Sequence, residues 1–86
     1  LVVRTYPNPF TDQVYFHFVS PVSGNAVFEI YDFTGRKIQE LRKPNVVAYQ
    51  DNLIQYLVPR TSQRQIMYRI AIGPYSAKGV LISPGK

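Results

Sequence analysis

The sequence contains no cysteine, no tryptophan, a single histidine and only five acidic residues among 86. Without cysteine the chain cannot form a disulfide, a thiolate metal site or a cysteine nucleophile. One histidine is too few for a histidine-based metal site. Hydrophobic packing must therefore stabilise the fold. The chain has enough apolar residues for a core, since 45% of its residues are hydrophobic and it contains seven Tyr and five Phe.

Long hydrophobic runs are also missing. No run approaches the roughly 20 residues that cross a bilayer, and no basic start followed by an apolar segment marks a signal peptide. We therefore expect no direct membrane insertion. Because the sequence begins at Leu1 rather than Met, we expect a longer parent protein that carries any export signal. The even composition predicts one domain over residues 1–86, able to bury roughly 60 to 65% of its unfolded surface.

The chemistry of an enzyme is absent as well. No Gly-x-Ser-x-Gly elbow, phosphate loop or dinucleotide fingerprint is present, and His17 lies among aromatic residues on a predicted strand. The acidic residues form no recognisable general acid and base pair. The sequence therefore predicts a non-catalytic protein without a cofactor. These acidic residues are Asp12, Glu29, Asp32, Glu40 and Asp51.

The net charge of +5 invites a nucleic-acid interpretation, but the ten basic residues are scattered along the chain. Aromatic residues next to basic ones, as at Tyr68-Arg69, are better explained by sheet-face packing than by base stacking. We expect no nucleic-acid partner.

Residues 26–41 carry the clearest local signal. Ala26, Phe28 and Ile30 alternate with outward positions, which is typical of a strand with one buried face. Asp32-Phe33-Thr34-Gly35 then fits a type I turn, with Asp at the first position and Gly at the last, where a positive φ costs it little. The Asp32 carboxylate is expected to accept from the Thr34 amide. The segment predicts a β-hairpin whose returning strand is charged, as suits a sheet edge.

The rest of the chain shows the same period of two and no helical period. Turn residues separate the short runs, and the run at 66–72 is expected at the centre of a sheet. This pattern predicts an all-β protein, an immunoglobulin-like antiparallel β-sandwich of about seven strands, with a small barrel as the alternative. The predicted strands are 1–6, 13–20, 26–31, 36–41, 46–49, 53–58, 66–72 and 78–83.

Several short motifs occur in a particular order. They are Tyr6-Pro7-Asn8-Pro9-Phe10, Ile30-Tyr31-Asp32, Gly35-Arg36-x-Ile38, Tyr68 and Lys78-Gly79-Val80. Together they resemble the type A-like C-terminal sorting domain of proteins that Bacteroidetes export by type IX secretion. The resemblance implies a non-catalytic immunoglobulin-like sandwich that directs its parent across the outer membrane.

The resemblance also implies partners and places. The partners would be the type IX translocon, shuttle and sortase proteins of the outer membrane. The parent would pass through the periplasm and reach the outer membrane, the cell surface or the medium. The residues implied in recognition are Pro7, Asn8, Pro9, Ile30, Tyr31, Asp32, Gly35, Arg36, Tyr68, Lys78 and Gly79.

Two alternative functions stay open at this point. Ile66 stands where the family usually has glycine, and Tyr49-Gln50-Asp51-Asn52 replaces its aromatic-Asp-Gly segment, so the chain could instead be an uncleaved docking domain of the attachment complex. A carbohydrate-binding or adhesin-type sandwich is the other alternative, with Tyr15, Tyr31 or Tyr75 stacking on sugars.

Overall fold

A computed structural model describes residues 1–7, 12–58 and 65–82, and all regular structure in them is β-strand. This confirms the all-β prediction. Within these residues, seven strands follow one another: β1 (Val2–Tyr6), β2 (Gln13–Val19), β3 (Gly24–Asp32), β4 (Lys37–Val46), β5 (Asn52–Leu57), β6 (Gln65–Ile72) and β7 (Tyr75–Ile82).

The strands form two antiparallel sheets. One has the order β1-β2-β5 and the other β4-β3-β6-β7. The fourth strand pairs with the third, whereas in a constant-type immunoglobulin domain it joins the sheet of the first, second and fifth strands. As predicted, β6 lies inside its sheet. The charged strand β4 forms an edge of the same sheet, where its Lys and Arg side chains discourage pairing with another chain.

Aromatic side chains join the two sheets into a sandwich. The ring of Phe16 on β2 lies 5.0 Å from that of Phe28 on β3, and the ring of Phe18 lies 5.4 Å from the same Phe28. These tilted contacts are the preferred geometry of aromatic pairs. The immunoglobulin-like sandwich is therefore confirmed, and the barrel alternative is not needed.

The inward-facing residues follow the alternation predicted from the sequence. On β2, β3 and β6 every second side chain is buried, which is the period of a strand with one face in a core. Each large apolar side chain removed from water contributes roughly 1.5 to 3 kcal/mol. The buried hydrophobic residues are Val14, Phe16, Phe18, Ala26, Phe28, Ile30, Val46, Tyr56, Ile66, Tyr68, Ile70, Ile72 and Leu81.

The predicted end of the returning strand at residue 41 is wrong, because β4 continues through Lys43, Pro44 and Asn45 to Val46, which pairs with Gly24. Proline is tolerated there because β4 is an edge strand and its outer side needs no amide donor. The predicted strand at 46–49 is correspondingly absent: the chain turns at 47–51, where Tyr49 has a φ of 63°.

The predicted five-residue turn at 73–77 is also wrong. Only Gly73 and Pro74 form the turn, and Ile72 pairs directly with Tyr75. Gly73 has a φ of 55°, which glycine adopts at little cost. The last strand therefore begins three residues earlier than the predicted residue 78.

Candidate recognition surface

The β3–β4 turn is held by the side chain at its first position. The Asp32 carboxylate oxygen Oδ1 accepts from the Thr34 amide at 2.9 Å, the Arg36 amide at 3.0 Å and the Thr34 hydroxyl. The Gly35 amide donates to the Asp32 carbonyl at 3.0 Å, and Gly35 has a φ of 90°. The predicted turn chemistry is therefore confirmed in both its side-chain and its glycine parts.

These contacts leave the Asp32 side chain only 6% exposed. Hydrogen bonds, that from the Thr34 hydroxyl first, hold the pKa of Asp32 below its ordinary value against the opposing effect of desolvation. Arg36 approaches the other carboxylate oxygen at 3.5 Å from its Nε, but its own side chain remains 79% exposed. Of the predicted recognition residues in this hairpin, Ile30 and Asp32 are buried, whereas Arg36 faces solvent.

Glu29 organises the outer face of the four-stranded sheet. The Tyr31 hydroxyl donates to its Oε1 at 2.9 Å, Lys37 Nζ lies 3.5 Å from its Oε2, and Arg69 lies 3.6 Å from its Oε1. The Tyr31 bond is the main cause that lowers the pKa of Glu29, and it raises the pKa of Tyr31. Glu40 completes the network through Lys37 and Arg42. The Tyr31 ring is thereby fixed on this face.

Beside Tyr31 lies a groove of about 560 Å³, here called the outer-face groove. It crosses β3, β6 and β7, and its outward side chains come from positions that alternate with the core residues. Tyr31, Met67 and Val80 give it apolar walls, and Arg69 and Lys78 bring two positive charges. The full lining is Tyr31, Met67, Tyr68, Arg69, Lys78, Gly79 and Val80.

Four of the predicted recognition residues meet at this groove. Tyr31 and Lys78 reach it with outward side chains. Tyr68 and Gly79 are cross-strand partners on β6 and β7, and Tyr68 is buried in the core. The structure thus brings together residues that lie almost 50 positions apart in the sequence.

Tyr68 and Gly79 fit each other closely. A Cβ added to Gly79 would lie 2.5 to 2.7 Å from the ring and hydroxyl of Tyr68, closer than carbon atoms approach in proteins. The Tyr68 ring is also in edge contact with Phe16, at 5.0 Å between centroids. An aromatic ring that covers a glycine on an edge strand is a known device for fixing strand register. Burial raises the pKa of Tyr68.

The early proline motif lies elsewhere. Pro7 follows β1 in the three-stranded sheet, where Tyr6 stacks on Tyr15 at 5.6 Å between ring centroids. Asn8 and Pro9 lie outside the described residues. Ile66, at the position where glycine was expected by resemblance, is buried and pairs with Leu81, so the core accommodates this difference.

Sequence reasoning did not single out Met67 in the groove or Phe33, which is 69% exposed at the hairpin tip. It included Val80 only as the last residue of the Lys78-Gly79-Val80 motif. One signal was available, because Met67 occupies an outward position between the inward Ile66 and Tyr68. A contiguous apolar patch rimmed by polar residues is typical of an interaction site, and Met67 forms such a patch with Tyr31 and Val80.

The sugar-stacking alternative gains no geometric support from the described residues. Tyr15 and Tyr31 lie on the two opposite outer faces of the sandwich, and Tyr75 begins β7, so the three do not share one platform.

Within residues 1–7, 12–58 and 65–82, no group of acidic or histidine side chains has the spacing of a metal site. His17 contacts Asp51, with 3.2 Å between Nε2 and Oδ1.

The same ranges contain no helix that is long and apolar enough to cross a membrane.

Comparison with known families agrees with the motifs. The family described as the secretion system C-terminal sorting domain matches residues 4–57, more than half of the chain. The match includes the proline motif and the Asp32 turn but ends before β6 and β7. The comparison with curated proteins gave no significant match, and neither did the comparison with solved structures. The chain therefore belongs to the family of type IX secretion C-terminal sorting domains.

Proposed function

We propose that this chain is a non-catalytic C-terminal sorting signal that the type IX translocon, shuttle and sortase recognise. The signal directs the parent protein through the periplasm and across the outer membrane to the cell surface or the medium. The single observation that carries the proposal is the family match over residues 4–57, since this family serves as a signal for export.

The fold fits such a role because the core residues stabilise the strands while the outward residues stay available for contact. The buried faces of β2, β3 and β6 hold the strands in register. On the outer face, β3, β6 and β7 present Tyr31, Arg69 and Lys78 in fixed positions. A partner can read side chains on a rigid sheet without a large loss of conformational entropy.

The proposal is tested by fusing the chain to a periplasmic reporter in a host with type IX secretion. We expect the reporter at the cell surface or in the medium. The control fusion carries Phe28→Asp, which places an unpaired charge in the core and should abolish the fold. Retention of the unchanged fusion in the periplasm, at the level of the control, would contradict the proposal.

The same experiment addresses the uncleaved docking domain, which the Ile66 difference left open. We expect the sortase to separate the chain from its cargo, so the surface form of the reporter should lack the mass of these 86 residues. A surface form that retains the whole chain would favour a resident docking role in the attachment complex.

A further inference from the structure

The outer-face groove carries a charge arrangement that the fold satisfies only in part, because Arg69 is paired with Glu29 on β3 but no ion pair of the described residues includes Lys78. Arg69 and Lys78 are direct cross-strand partners on β6 and β7, and both face outward. Like charges directly opposite each other on a sheet destabilise it. Glu29 offsets this repulsion only from the Arg69 side. The charge of Lys78 therefore stays available for an external anion.

The acids on this face are already shared. Glu29 contacts Tyr31 and Lys37 as well as Arg69, and Glu40 contacts Lys37 and Arg42. Among the ion pairs of the described residues, none includes Lys78. The outer face of this sheet thus has more cations than acids, and the excess lies at the groove.

Beside this pair the groove is apolar. Val80 is 46% exposed, and with Met67 and Tyr31 it forms a wall that stays in contact with water. A volume of about 560 Å³ lies in the range of clefts that hold a small ligand. The groove therefore suits a short segment of chain better than a whole domain face.

We propose that the groove binds a short segment of a partner protein that joins an acidic side chain to a large apolar one. The acid lies between Arg69 and Lys78, and the apolar side chain packs on Tyr31, Met67 and Val80. The proposal rests on the proposed function, since it assigns this segment to the secretion machinery. A second copy of this chain that docks through the same groove does not fit, because it would bring the same cations to the contact.

An anionic glycan is the competing occupant. It would satisfy Arg69 and Lys78 but leave Met67 and Val80 uncovered. Binding of a protein segment therefore requires the apolar wall, whereas binding of a glycan does not. The experiment tests this difference.

The test uses the reporter fusion with two matched pairs of substitutions. Lys78→Glu in the groove is matched by Arg4→Glu on β1, and Val80→Asp is matched by Val2→Asp, also on β1. Arg4 and Val2 are exposed on the other sheet, so each pair introduces the same charge change away from the core. We expect both groove variants to reduce surface delivery about tenfold, and both controls to stay within about twofold of the unchanged fusion.

A photo-crosslinking residue at position 80, compared with one at position 2, then identifies the occupant. We expect a product specific to position 80 in which the linked peptide contains Asp or Glu beside a large apolar residue. Replacing that acid by Lys in the partner should restore delivery of the Lys78→Glu fusion, which a merely structural role of Lys78 would not produce.

The outcomes separate the two proposals. Normal delivery of the unchanged fusion together with normal delivery of Lys78→Glu and Val80→Asp would refute the groove and leave the sorting function standing. Loss with Lys78→Glu alone, with crosslinks to lipopolysaccharide, would overturn the protein segment in favour of a glycan. A position-specific crosslink to an acidic and apolar segment in a fusion that stays in the periplasm would support the groove and refute the sorting function.

Discussion

In the hairpin turn, the Asp32 carboxylate accepts hydrogen bonds from two amides and a hydroxyl within four residues of itself. In the outer-face groove, Lys78 instead faces a second cation, Arg69, across the strand pair. Both regions contain motif residues of one family. Asp32 finds its partners inside the turn, whereas Lys78 is in no ion pair of the described residues, although Arg69 is paired with Glu29. We infer that some motif residues build the fold whereas others are available for a partner.

Tyr68 and Gly79 belong to the residues that build the fold. The substitution with the largest expected effect tests this assignment. Gly79→Val would push a branched side chain into the Tyr68 ring, which Phe16 holds from the other side. We expect the free energy of unfolding to fall by about 3 kcal/mol, as for overpacked cores, measured by urea unfolding. In a Tyr68→Leu background the same change should cost much less. An equal cost in both backgrounds would show that the ring is not the obstacle.

A smaller effect is expected at the turn. Gly35→Val forces a β-branched residue to a φ of 90°, although nothing lies within 4 Å of the added Cβ. The strain should lower the stability by about 1 to 2 kcal/mol. Gly35→Asn is the matched control, because asparagine tolerates positive φ better. Equal stabilities of the two variants in urea unfolding would argue against backbone strain at this position.

The charge of Asp32 should appear in the pH dependence of stability. Its pKa is lowered in the folded chain, so its contribution is fully present above the ordinary value of 3.8 and is lost as the pH falls towards the folded value. Asp32→Asn keeps an acceptor oxygen but removes this loss. Urea midpoints between pH 2 and pH 7 should therefore fall less steeply for Asp32→Asn than for the unchanged chain. They should not become flat, because the pKa values of Glu29 and Glu40 are lowered too. Parallel curves of urea midpoint against pH for the two proteins would rule out this contribution of the Asp32 charge to stability.

The turn could be predicted from sequence because its chemistry is local. Asp32 and Gly35 lie three residues apart, and the backbone requirements of a type I turn are known for each position. The inward faces of β2, β3 and β6 were also predictable, since alternation is visible within a single strand.

The groove could not be predicted in the same way, because it depends on the register between strands. Met67 meets Val80 only because Gly73 and Pro74 close the β6–β7 hairpin in two residues. A five-residue turn, as the sequence indicated, places other residues opposite Met67. The close fit of Tyr68 and Gly79 depends on the same register, so the packing role of Gly79 appears only in the folded chain.

The smallest change in stability is expected for Lys78→Glu, and it sharpens the comparison most. This substitution replaces a like-charged cross-strand pair with an opposite one, Arg69 facing Glu, without touching the core. We expect a free energy of unfolding within about 0.5 kcal/mol of the unchanged chain, as for most surface changes, by urea unfolding at low and at high salt. Any gain should shrink in high salt, because salt screens an exposed pair. If Lys78→Glu keeps its stability while surface delivery falls, Lys78 acts in recognition and, unlike Asp32, does not stabilise the fold. A marked loss of stability would instead place both residues among those that stabilise the fold.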